Sequence, residues 1–151
     1  MQDEAFLVAE LSLRGFSCSH ILAAVGLEAQ GRDSPELMRA MSGLALGMSC
    51  GQLCGALSGG CCLLGLYAGM DENRDVHPSL PLMLEEFNEW FKDEYVPKYG
   101  GINCADIMQN NPALKNERCP PMILAAVRKA IEILDAYGFP LDAPHGERDG
   151  Y

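Results

Sequence analysis

Seven cysteines are distributed along the chain, and it is their positions that point to chemistry. Cys18 and Cys104 sit in matching frames, Gly15-Phe16-Ser17-Cys18-Ser19-His20-Ile21 and Gly101-Ile102-Asn103-Cys104-Ala105-Asp106-Ile107. In each, a capping residue stands just before the cysteine, which puts the thiol in the first turn of a helix. Cys119 precedes Pro120 and Pro121, so it reads as the cap of the last helix. Cys54 opens Cys54-Gly55-Ala56-Leu57-Ser58-Gly59, where bare backbone can come close to a sulfur. A helix start presents unpaired N–H groups and partial positive charge, and both favour thiolate over thiol. Thiolates are the species that attack disulfides and ligate iron or zinc. Function is therefore assigned to Cys18, Cys54, Cys104 and Cys119. Cys61 and Cys62, inside an apolar run, read as small buried hydrophobes. Cys50, four residues before Cys54, is a substitute ligand if the helix extends back that far.

Other chemistries find little support. No C-x-x-C is present, which removes the zinc-ribbon and thioredoxin-type patterns. His20 lies two residues from Cys18 but reads as a solvent-facing or core histidine, and His77 and His145 fall in a proposed loop and tail. Neither a nucleophile elbow nor a phosphate-binding glycine fingerprint occurs. Glu85, Glu86 and Glu89 form a solvated helix face. Eleven basic residues against 21 acidic ones give a charge of −10, which repels nucleic acid and anionic lipid. The same surface suits a redox partner protein with a basic docking patch. The start Met1-Gln2-Asp3-Glu4 is acidic, unlike a secretory signal, so the expected location is cytoplasmic. There, cysteines serve metal or redox chemistry more often than structural disulfides.

The elements that must position these thiols are helical. At 151 residues, 48% hydrophobic and 21% charged, the chain reads as one globular domain. The expectation is an all-α bundle of about six helices around a Gly/Cys-rich central one, over residues 1–139, followed by a flexible tail at 140–151. Residues 3–14 form the first helix, and Ser17 caps a second that runs to about Leu27. Ser34-Pro35 opens a third, which reaches toward Gly47–Gly51. The central helix covers Cys54–Leu66 and ends near Gly69. Residues 71–79 form a loop before an amphipathic helix at Pro81–Tyr95 that carries Leu84, Phe87, Trp90 and Phe91. A short helix runs from Cys104 to about Gln109. The last, Met122–Tyr137, has Ile123, Ala126, Val127, Ala130, Ile131 and Leu134 as core and stops at Gly138.

Between Arg39 and Asp71 no side chain is charged, a length that could span a bilayer. Eight glycines and four cysteines dilute it, so a buried helix in a water-soluble fold is the better reading and no membrane span is expected. Gly43, Gly47, Gly51, Gly55 and Gly59 recur every four residues. Such a stripe admits a neighbouring helix, a cofactor or the contact of a homodimer.

Taken in order, Gly15-Phe16-Ser17-Cys18, Cys54-Gly55-Ala56-Leu57-Ser58-Gly59, Ile102-Asn103-Cys104 and Cys119 resemble a family of redox-active proteins. It is named for its C…GCAxxG…C…C pattern, and its working motif C-G-A-x-x-G matches residues 54–59. The resemblance covers about residues 5–137 and implies four family cysteines, falling on Cys18, Cys54, Cys104 and Cys119. The family is also similar to the cluster-bearing C-terminal part of split-Soret cytochromes, which implies an iron–sulfur centre. Without a C-x-x-C-H, no covalently attached haem is expected here. The first function that follows is an electron carrier with an iron–sulfur cluster, a [2Fe–2S] centre, on those four cysteines, approached by backbone at Gly55 and Gly59. The alternatives are a cofactor-free thiol/disulfide protein and an interaction module with a structural zinc site on the same thiolates. All three describe a carrier or binding module more readily than a stand-alone enzyme.

Overall fold

The computed structural model describes residues 3–142. Among these the chain forms seven α-helices: α1 (Glu4–Leu13), α2 (Cys18–Ala29), α3 (Pro35–Met41), α4 (Gly55–Ala68), α5 (Leu80–Tyr99), α6 (Cys104–Met108) and α7 (Lys115–Ala136). The all-α fold expected from the sequence is what is found. His145 and most of the expected tail lie outside the described residues.

Local rules set most helix ends. The Asp3 carboxylate accepts from the Phe6 N–H at 3.2 Å, and Ser34 Oγ from the Leu37 N–H at 3.4 Å, with Pro35 at the first helical position. Gly100 closes α5 in the left-handed conformation, φ +81°.

Helix α4 is the centre of the bundle and packs against α2, α5 and α7. Its Leu57, Leu63, Leu64 and Tyr67 are fully buried, as are Phe87 and Phe91 of α5. Helix α7 contributes Ile123, Ala126, Val127, Ala130 and Leu134 as its apolar spacing implies, with Ile133 rather than Ile131 completing the buried face. Two glycines let α4 sit this deep. A Cβ at Gly59 would come 3.0 Å from Ser19 Cα of α2, and one at Gly60 would collide with the Phe87 ring of α5.

Three expectations need correction. Helix α3 stops at Met41, well short of the glycine-rich stretch, and gives way to a 3-10 turn at Ser42–Leu44. The five evenly spaced glycines are consequently not one helical stripe. Gly43 lies in that 3-10 turn, Gly47 and Gly51 take positive φ of 61° and 70°, and only Gly55 and Gly59 belong to α4. Lastly, α7 begins at Lys115, so Cys119 sits in its second turn and is not its cap. A 3-10 turn at Pro112–Leu114 feeds the chain into the helix earlier than the double proline suggests. The fixed φ of Pro120 and Pro121 is compatible with helix, at the loss of two backbone donors. Among the described residues no helix is long and apolar enough to cross a membrane.

Candidate cysteine site

Two of the four cysteines are brought together by backbone. Leu53 and Asn103 form an isolated antiparallel bridge. The Cys54 N–H donates to Ile102 C=O at 3.0 Å, and the Cys104 N–H to Gln52 C=O at 2.6 Å. This short clip ties the start of α4 to the start of α6. No run of alternating residues announces it, because it is only a few residues long.

The matching frames around Cys18 and Cys104 fold alike. Each cysteine is the first residue of its helix, after Ser17 or Asn103. The Ser17 N–H donates to His20 Nδ1 at 3.4 Å, and the Asn103 N–H to Asp106 Oδ2 at 3.2 Å, the returning half of a capping box in both cases. His20 is thereby explained as a structural residue, since Ser17 Oγ lies 2.7 Å from its Nδ1 and Ser42 Oγ 2.9 Å from its Nε2. Cys18 Sγ lies against Gly55, where any Cβ would overlap it. Arg118 of α7 donates to the Ile107 carbonyl of α6 and stacks over the Tyr99 ring, 4.8 Å from its centroid. That tie sets the second turn of α7 beside α6.

Cys18, Cys54, Cys104 and Cys119 all line one cavity of about 220 Å³, together with Gly55. Met108 lines it too, its Sδ 3.5 Å from Cys104 Sγ. Gly59 faces α2 instead. Cys50 is exposed, and Cys61 and Cys62 are half-buried along α4, Cys61 accepting from Asn88 Nδ2 at 3.5 Å; none of the three lines the cavity.

The electrostatics run against the helix-start argument. Burial pushes the Cys54 thiol up to about 12, with Cys18 adding to the effect, and the Cys119 thiol up to about 11, with Cys18 and Cys104 adding. Cys18 and Cys104 are also raised by burial. The expected donors are present, from Ser19 toward Cys18 and from Ala56 and Leu57 toward Cys54, but desolvation outweighs them. In the metal-free protein these thiols are therefore neutral at pH 7.

The backbone beside the site has a conformation that composition does not signal. Leu46, Gly47, Met48 and Ser49 all have positive φ, between 55° and 61°, and Gly51 follows at 70°. Leu46, Met48 and Ser49 are not glycine, and left-handed backbone costs a side-chain-bearing residue about 1–2 kcal/mol. Leu46 lines the cavity, and Cys50 stands on the same turn. This is why Cys50 does not share a helical face with Cys54.

Four cysteines from four separate segments line one cavity in an all-α domain. The chain belongs to the family described as "Putative redox-active protein (C_GCAxxG_C_C)", which matches residues 16–133. The GCAxxG of that description stands here as Cys54-Gly55-Ala56-Leu57-Ser58-Gly59, with cysteine and glycine in the opposite order. No curated protein and no solved structure matches the chain.

The donor chemistry of the cavity fits a thiolate-bound centre, since four thiols are the usual set for a [2Fe–2S] cluster. Among the described residues no three His, Cys, Asp or Glu side chains are grouped closely enough to hold a single metal ion.

Proposed function

We propose that this protein is an electron carrier that holds an iron–sulfur cluster, a [2Fe–2S] centre, through Cys18, Cys54, Cys104 and Cys119. One observation carries the reading. These four cysteines, far apart in sequence, line a common cavity, while the other three do not. A bound cluster would supply reversible one-electron chemistry at a buried position. The chain's own contribution is to fix Cys18, Cys54 and Cys104 at helix starts and Cys119 in the second turn of α7, to aim backbone N–H groups of residues 19, 56 and 57 at sulfur, and to limit water with an apolar wall. Family membership supports redox work in general. The acidic surface suits a basic partner protein.

Anaerobic purification is the test. Brown protein with iron and acid-labile sulfide in stoichiometric amounts is expected. Colourless protein without iron, prepared under the same anaerobic conditions, would overturn the cluster. Zinc in its place would mark a structural site, and reversible loss of two titratable thiols under mild oxidant would mark a thiol/disulfide carrier.

A further inference from the structure

Among the residues lining the cysteine cavity, Lys115 is the one that carries a charge. Its position is unusual for a lysine. It is the first residue of α7, where the helix dipole opposes a cation. Among the described residues no carboxylate lies within 4.0 Å of its Nζ, in a chain with 21 acidic side chains. Arg118, one turn further on, is occupied by the Ile107 carbonyl and the Tyr99 ring. Lys115 thus presents an exposed ammonium, paired with no carboxylate among the described residues, at the mouth of the cavity that Cys18, Cys104 and Cys119 also line.

We infer that Lys115 is the electrostatic positioning residue of this cavity, whose ammonium favours an anionic group held against Cys18, Cys104 and Cys119. The chemical class it selects is an anion, whether an electrophile arriving at the thiols or a thiolate-bound centre of net negative charge. The inference rests on the cavity being the working site, and not on a cluster filling it.

The test uses the reduced, metal-free protein and two alkylating reagents of nearly equal shape, anionic iodoacetate and neutral iodoacetamide. Both form an S–C bond with loss of iodide and release of the thiol proton to solvent. Peptide mass spectrometry gives the rate at each cysteine, with exposed Cys50 as the internal reference. Lys115→Met should lower the iodoacetate-to-iodoacetamide rate ratio at Cys104 about two- to fivefold at low ionic strength and leave Cys50 unchanged. Lys115→Arg should keep the ratio, and about 0.5 M salt, where the Debye length is about 4–5 Å, should erase the difference. An unchanged ratio in Lys115→Met, or an equal fall in Lys115→Arg, would overturn the inference. Should a variant fail to fold, salt titration of the unmodified protein decides: the Cys104 ratio, taken relative to Cys50, should fall as salt rises, and a ratio indifferent to salt overturns the inference. Failure of the cluster reading looks different: the protein is iron-free, yet its ratio still depends on Lys115.

Discussion

Gly55→Ala separates the site from the stability of the fold. The new Cβ would overlap Cys18 Sγ and stand 3.3 Å from the Ser19 nitrogen and 3.6 Å from the Leu44 oxygen. Carbon and sulfur need about 3.5–4.0 Å, so Sγ has to withdraw by more than about 1 Å. Ligands of a bound centre tolerate about 0.5 Å of misplacement, so loading should collapse. The fold suffers less. Overpacking costs about 1–3 kcal/mol, offset in part by the roughly 0.5–1 kcal/mol that replacing glycine returns in a helix. A net loss of about 0.5–2 kcal/mol is expected. Gly65→Ala is the matched control, in the same helix with nothing within 4 Å of its Cβ. It should gain about 0.5–1 kcal/mol and keep full loading. Urea unfolding of the metal-free proteins measures the first quantity, and iron and labile sulfide after anaerobic reconstitution measure the second. Full loading of Gly55→Ala, or equal loss of loading in Gly65→Ala, would refute the reasoning.

Exchange of a proposed ligand cysteine should remove loading. Cys18→Ser or Cys119→Ser is expected to abolish stoichiometric iron and sulfide, whereas Cys62→Ser should retain them, as metal analysis will show. The left-handed turn predicts stabilisation, because Ser49 has φ 56°. Ser49→Gly should raise the urea unfolding free energy by about 1 kcal/mol, and a loss of stability would contradict the strain. Alkali should weaken the reduced, metal-free protein. Folded Cys54 and Cys119 titrate near about 12 and about 11, against about 9 when unfolded, so above pH 9 the unfolded chain releases protons that the folded one keeps. Stability contributed by these neutral thiols is whole below pH 9 and falls between about pH 9 and 12, by about 1 kcal/mol per thiol at pH 10. Urea midpoints at pH 7 and 10 that coincide would argue against buried, neutral thiols.

Much of the fold is legible in the sequence because it depends on neighbours along the chain. Ser17, Ser34 and Asn103 mark helix starts by capping chemistry that acts over three residues, and apolar spacing identifies most of the buried face of α7. In α5 it identifies Phe87 and Phe91, whereas Met83 and Tyr95 are buried in place of the expected Leu84 and Trp90, which are only partly covered. What escapes depends on distant contacts. The regular spacing of Gly43 to Gly59 suggests one helix, but consecutive left-handed residues from Leu46 to Ser49 are stabilised only by what surrounds them. Cys119 lies inside α7 because Asn111-Pro112 starts a turn upstream, so the helix begins before the start that Pro120 and Pro121 imply. The clip between Leu53 and Asn103 joins two segments distant in sequence, with no local pattern to reveal it.

Helix starts and burial pull the cysteine chemistry in opposite directions, and the structure decides between them. A helix start favours thiolate, yet the same packing that gathers the cysteines strips their water, and desolvation is the largest effect at each of the four. Backbone donors at Ser19, Ala56 and Leu57 are too few to reverse it in the empty cavity. Those donors gain importance whenever the sulfurs carry negative charge, because a fixed N–H in a poorly solvated place costs nothing to reorient. Gathered sulfurs, oriented donors and one exposed ammonium, paired with no carboxylate among the described residues, therefore form a consistent set: each is idle around neutral thiols, and each is favourable around an anionic sulfur centre.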